Sequence, residues 1–89
     1  MLQNIHIVTS INDGKPCLQI LLQHATMPVV LSIIALDGTL LRLIAIPCGK
    51  SVINLDRVEQ PEIHIKIETS HQTVVRRINI MQPEQEIML

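Results

Sequence analysis

The sequence contains no phenylalanine, tyrosine or tryptophan. Carbohydrate and single-stranded nucleic-acid binding usually rely on flat aromatic rings, so this absence disfavours both classes of ligand. The net charge of −1 gives no general attraction to nucleic acid or to an anionic membrane. Because aromatic residues are absent, the core must be aliphatic, and it is supplied by isoleucine, leucine and valine with four methionines. Such β-branched residues fit the pleated, half-buried surface of a β-sheet.

Long apolar runs are also absent. The longest, MPVVLSIIAL at positions 27–36, is interrupted by Ser32 and has about half of the ~20 residues that a transmembrane helix needs. We therefore expect no membrane insertion. The basic segment and the small-residue cleavage site of a signal peptide are missing as well. This leaves two alternatives, a cytosolic protein or a mature fragment whose targeting segment has been removed.

The motifs of common catalytic sites are missing too. The chain has no GxSxG nucleophile elbow, no GxGxxG turn and no P-loop, and a domain of 89 residues has little room for a cleft. His6 and His64 could meet if their strands were neighbours, but zinc would need a further ligand such as Glu62 or Glu68. We expect ordinary surface histidines, no metal, no cofactor and no enzymatic activity.

The two cysteines, Cys17 and Cys48, are too far apart in sequence for a CxxC redox or zinc motif. A disulfide between them would add roughly 3–4 kcal/mol of stability in the chain-entropy model. The alternative is a pair of buried free thiols, which behave as small hydrophobes. The sequence leaves both alternatives open.

Short alternating apolar runs predict β-strands throughout the chain. The clearest is EIHIKIET, where Ile63, Ile65 and Ile67 share one face and polar residues share the other. Asp37-Gly38 lies between two apolar runs and predicts a β-hairpin, because Gly38 can adopt the positive φ of a tight turn. About seven such strands with no helical segment predict an all-β, immunoglobulin-like antiparallel sandwich. We place this single domain at residues 1–81, followed by a tail at 82–89.

The stretch 31–80 resembles a known family. LSIIALDGTLLRLIAI, KSVINLDRV, PEIHIKIET and HQTVVRRINI match successive strands of the immunoglobulin-like C-terminal sorting domains of Bacteroidetes type IX secretion. Pro61 and Ile63 stand where that family has glycine and an aromatic residue, and QPEQEIML follows the last matching strand. The resemblance implies a β-sandwich of a periplasmic or extracellular protein, either a sorting domain or a small secreted domain from the same bacteria.

The candidate functional features are therefore surfaces. The end of the tail is apolar, and Ile87, Met88 and Leu89 are candidates for contacting a partner. The edges of an open sandwich can also recruit another strand. We expect a non-catalytic accessory or protein-interaction module that binds a protein partner, or itself, through a sheet edge or the tail, without binding nucleic acid. A secretion-sorting domain is the alternative.

Overall fold

A computed structural model describes residues 4–23, 29–70, 72–82 and 85–88 of the chain. The all-β prediction is confirmed, because two four-stranded antiparallel sheets pack face to face around one aliphatic core. The part of the chain that is described contains no helix long and apolar enough to cross a membrane.

Sheet A has the strand order β5-β2-β1-β8. Its strands are β1 (Asn4–Asn12), β2 (Lys15–Gln23), β5 (Gly49–Asn54) and β8 (Glu86–Met88). Sheet B has the order β4-β3-β6-β7. Its strands are β3 (Val29–Ala35), β4 (Leu40–Ile46), β6 (Glu62–Glu68) and β7 (Thr73–Asn79). The pairs β2–β5 and β3–β6 join strands distant in sequence, which gives the Greek-key connectivity of an immunoglobulin-like sandwich.

The core consists of the inward-facing residues of both sheets. The predicted alternation holds in β6, where Ile63, Ile65 and Ile67 are buried and the residues between them are partly exposed. Their counterparts in sheet A include Ile7, Leu18, Ile20 and Leu22. Because every one of these side chains is aliphatic, they stabilise the interior through hydrophobic burial and close packing.

Two Asp-Gly pairs turn the chain in different ways. Asp13 and Gly14 both have positive φ, 53° and 75°, and connect the directly paired Asn12 and Lys15, as a two-residue type I′ hairpin requires. At the second pair, the Gly38 amide donates to the Ala35 carbonyl at 2.9 Å, and Gly38 has φ of 96°. Gly38 therefore follows a β-turn and forms the left-handed residue of a longer loop.

Eight strands are described, where about seven were predicted. The additional strand is β8, which lies within the predicted tail and pairs with β1. Arg76 shares the parity of the buried residues Val74 and Ile78, a pattern that predicts a bulge at this position or a place near a rim. Its strand pairs with β6 in unbroken register, and Arg76 is exposed because β7 is an edge strand. The register shift lies instead between Ile33 and Ile34, opposite β4.

Candidate interaction surface on strand β4

A sandwich of two open sheets has four edge strands, and here they are β4, β5, β7 and β8. An edge strand offers unpaired backbone groups to any other strand unless charge, shortness or distortion protects it. Strand β7 carries the exposed pair Arg76 and Arg77, β5 carries exposed Lys50, and β8 has only three residues. Strand β4 has seven residues and one charge, Arg42. Its pairing with β3 is irregular at Leu41, near its start, but regular from Arg42 to Ile46, so this second part of β4 is the least protected of these four edges.

The side chains of β4 are apolar and largely exposed to solvent. Leu43 is 63% exposed, Leu40 is 55% exposed and Leu41 is 36% exposed. Only the end of the strand is anchored, because Ile46 is buried in the core and Ile44 packs against it. Leu43 and Leu40 thus contribute little to the core. Burying their exposed surface against another molecule would therefore give additional hydrophobic stabilisation.

The exposed leucines of β4 continue an apolar surface on the outside of sheet B. Leu43 lies opposite Ser32, while Ala45 and Leu40 lie opposite the half-buried residues Val30 and Ile34. We call Val30, Ile34, Leu40, Leu43 and Ala45 together the β4 patch.

Beyond the β4 patch the outer face of sheet B becomes mostly charged. Strand β6 places His64, Lys66 and Glu68 there, and Lys66 pairs with Glu68 at 3.5 Å. Glu62 pairs with Arg77 of β7. The outer face is thus divided into an apolar half at the open edge and a charged half at the opposite edge. An apolar patch bordered by polar residues is typical of a protein-contact surface.

Arg42, the one charge on β4, is not directed along the outer face. Its Nη1 donates a hydrogen bond of 3.1 Å to the Asn54 carbonyl, at the end of β5. Its position opposite Ile33 places it on the core-facing side of sheet B. The guanidinium therefore lies between the open margins of the two sheets and leaves the β4 patch uncharged.

A cleft of about 610 Å³ adjoins the first half of β4. It is lined by Leu41 and Arg42, by Asn54 of β5, and by residues 56–60 of the following loop. Among the described residues, Asp56, Arg57 and Glu59 form no hydrogen bond or ion pair. Two basic and two acidic side chains give the cleft no net charge, so it does not select a ligand of one sign.

The predicted tail contact is used within the chain. Ile87 is 9% exposed and belongs to the core, opposite Ile7 of β1. Met88 is 71% exposed, opposite His6, while Leu89 lies outside the described residues. The side chain of Ile87 is therefore not free for a partner, since it completes the apolar face of sheet A.

The remaining candidates are not brought together. His6 lies on the outer face of sheet A and His64 on that of sheet B, so the two imidazoles point away from each other. His24 and His71 lie outside the described residues. Within those that are described, no three His, Cys, Asp or Glu side chains are placed to hold a metal ion.

Both cysteines are free thiols, with Cys17 buried and Cys48 exposed. They lie near opposite ends of the β2–β5 ladder, where Cys17 is opposite Asn54 and Leu22 is opposite Gly49. Five residues along a strand correspond to roughly 17 Å, well beyond the reach of a disulfide. The disulfide alternative is therefore wrong, and of the two thiols only Cys17 is buried as the other alternative supposed.

The apolarity of β4 was visible in the sequence, but its position at an edge was not. The signal is the stretch LLRLIAI, which lacks the alternation expected of a half-buried strand.

The chain was also compared with protein-family models, with curated proteins and with solved structures, and none of them matches it.

Proposed function

We propose that this chain is a non-catalytic protein-interaction module that binds an extended segment along strand β4. The observation that carries the proposal is the unprotected β4 edge, with three exposed leucines in a strand whose only charge is turned inward. Such an edge binds by β-augmentation, in which backbone hydrogen bonds provide affinity and alternate side chains provide specificity.

The charge and apolarity of the surface indicate which side chains its ligand should carry. The β4 patch is uncharged, so the side chains that a bound strand presents to it should be aliphatic, at every second position. The opposite side of such a strand would face the cleft beside Leu41 and Arg42, which accepts polar side chains of either sign. The expected ligand is an extended, alternating apolar and polar peptide segment.

The expected affinity is low. Burying a leucine completely contributes roughly 2 kcal/mol, so the exposed parts of the β4 leucines contribute about 3 kcal/mol in total. A few edge hydrogen bonds add about 1 kcal/mol each, and ordering the ligand opposes binding. The balance corresponds to a dissociation constant of about 0.1–1 mM. This strength suits a reversible contact or one of several contacts in a larger assembly.

The test is a titration of the ¹⁵N-labelled chain with a synthetic peptide of alternating valine and threonine, flanked by lysines for solubility. We expect amide shifts and slowed hydrogen exchange at residues 40–46. The Leu43→Lys variant should weaken binding about tenfold, because it places a charge within the patch. Val52→Lys is the matched control, since Val52 is also 63% exposed but lies on the β5 edge. Amide shifts centred on β5 or β7, or the absence of any amide shift, would refute the proposal.

The alternative proposal is the secretion-sorting function implied by the family resemblance, together with a periplasmic or extracellular location. Its support is that the resembling stretch includes the strands from Leu40–Ile46 to Thr73–Asn79, so it supplies most of sheet B. Fusing the chain to the C-terminus of a reporter in a bacterium that has this secretion system tests it. Export of the reporter would support sorting, and retention inside the cell would count against it.

A further inference from the structure

We infer that the segment bound along β4 is strand β4 of a second copy of this chain, paired antiparallel about a two-fold axis. This rests on the proposed function and names its partner. The axis passes between the two strands perpendicular to sheet B, so the two outer faces remain on the same side. The result is a continuous eight-stranded sheet.

The register follows from the length of the strand. Strand β4 runs from Leu40 to Ile46, so complete overlap with a second copy is centred on Leu43. The two Leu43 side chains then lie directly opposite each other, and they are the most exposed leucines of the strand. In this register Arg42 of each copy lies opposite Ile44 of the other, while the irregularity at Leu41 takes Leu40 out of the regular ladder. No charged residue faces another charge.

Neighbouring registers that keep the outer faces together are less favourable. Centring the pair on Arg42 places two arginines directly opposite each other, and like charges opposite each other destabilise a sheet. Centring it on Ile44 leaves Leu40 beyond the end of the second strand. The strand composition therefore favours the register centred on Leu43, which pairs the two most exposed leucines and brings no like charges together.

The same comparison separates β4 from the other edges. A β7–β7 pair would bring two copies of Arg76 and Arg77 together. At β4 the one guanidinium is hydrogen-bonded to the Asn54 carbonyl on the core-facing side of its own chain, so the outer face of the edge presents only apolar side chains. The matching ligand is an apolar strand, and β4 of another copy is present at the same concentration wherever the chain occurs.

The pairing joins the two β4 patches into one apolar strip that runs from β3 of one copy to β3 of the other. Seven residues provide about 24 Å of edge. An interface of this length is small beside the ~800 Å² per partner of a standard stable complex. The dimer should therefore form and dissociate with concentration instead of being permanent.

The first experiment is sedimentation velocity of the full chain from about 10 µM to about 1 mM, a range that spans the expected dissociation constant. We expect the mass to rise towards that of a dimer. Leu43→Lys should raise the dissociation constant about tenfold or more, since two lysines would then lie opposite each other. Val52→Lys should leave it unchanged. Equal effects of both variants would overturn the inference.

The second experiment tests the register by cross-linking. In a Cys48→Ser background, which removes the exposed native thiol, Leu43→Cys should oxidise to a disulfide-linked dimer. Directly opposite residues of antiparallel strands have Cα atoms about 5 Å apart, within disulfide range. Ala45→Cys should not cross-link, because its two copies would be displaced by about 14 Å. Cross-linking at 45 or at Val52→Cys as readily as at 43 would overturn the register.

The two proposals fail in distinguishable ways. A chain that remains a monomer at every concentration but binds the valine–threonine peptide along β4 would overturn self-pairing and leave the proposed function intact. A chain that does neither would overturn both. A dimer that persists in Leu43→Lys, without cross-linking at position 43, would place the interface elsewhere and overturn the inference.

Discussion

Replacing Thr9 with valine should release the C-terminal strand from the sandwich. Thr9 is 2% exposed and lies at the inner face of β1. Its hydroxyl donates to the Gln82 carbonyl at 2.8 Å and accepts from the Gln85 amide at 2.9 Å. Its own amide donates to the Gln85 carbonyl at 3.0 Å. These contacts fix the segment before β8, so they position Ile87 over the core.

The magnitude follows from what the substitution leaves behind. Valine has nearly the shape of threonine, so packing is conserved while the Gln85 amide and the Gln82 carbonyl each lose a partner. The Gln85 amide is then unpaired, which costs about 1–3 kcal/mol for a buried group, whereas the Gln82 carbonyl is on an exposed residue and still accepts from Gln85 Nε2 at 2.9 Å. We expect the free energy of unfolding to fall by about 2 kcal/mol. For a domain of this size that lowers Tm by about 10 °C.

The assay is urea denaturation combined with native-state hydrogen exchange. Thr73→Val is the matched control, because Thr73 lies in an exposed position of β7. We expect Thr9→Val to speed exchange in β8 and in the β1 amides that pair with it, before any change in sheet B. A stability loss below about 0.5 kcal/mol, or equal losses for both variants, would refute the idea that this hydroxyl holds β8 in place.

Two further predictions concern the Asp37 carboxylate and the free thiols. The Thr39 amide donates to Asp37 Oδ1 at 2.9 Å and, with the Thr39 hydroxyl, lowers the pKa of that carboxyl below its ordinary value. The stability that the ionised Asp37 carboxylate gives the hairpin should therefore be present above about pH 4 and be lost as pH falls through the lowered pKa. A carboxyl-carbon NMR titration would measure this pKa. A titration midpoint at or above the ordinary value of an aspartate would contradict the prediction. Cys48 should react with a thiol reagent in the native protein and Cys17 only on unfolding, and equal rates in native buffer would contradict the burial of Cys17.

The parts of the fold that local pattern determines were predictable. The alternation in β6 gives the inward side of Ile63, Ile65 and Ile67, because successive side chains of a strand point to opposite faces. The Asp37-Gly38 hairpin was equally clear, since it depends on the positive φ of a single residue. Both are properties of a few neighbouring residues and need no knowledge of the remaining chain.

The edges could not be predicted in the same way, because the position of a strand in its sheet depends on pairing between distant segments. Arg76 illustrates this: at the edge its side chain reaches water from a position that would be buried in a central strand, and no bulge is needed. The pairing of β8 with β1 likewise joins residues about 80 positions apart. It also brings His6 Nε2 within 3.1 Å of Glu86 Oε1. The candidate site depends entirely on this kind of information.

The β4 edge differs from the other three in a way that folding does not require. The charges of Arg76 and Arg77 on β7, and that of Lys50 on β5, disfavour pairing of these edges with another strand. Strand β8 is too short to pair stably with another strand. A lysine in place of Leu43 would guard β4 at little cost to the core, because more than half of that side chain is already in water. Stability alone does not explain an apolar residue there, and the proposed contact along β4 would explain it. A local choice that departs from the pattern of the whole fold is the expected mark of a functional site.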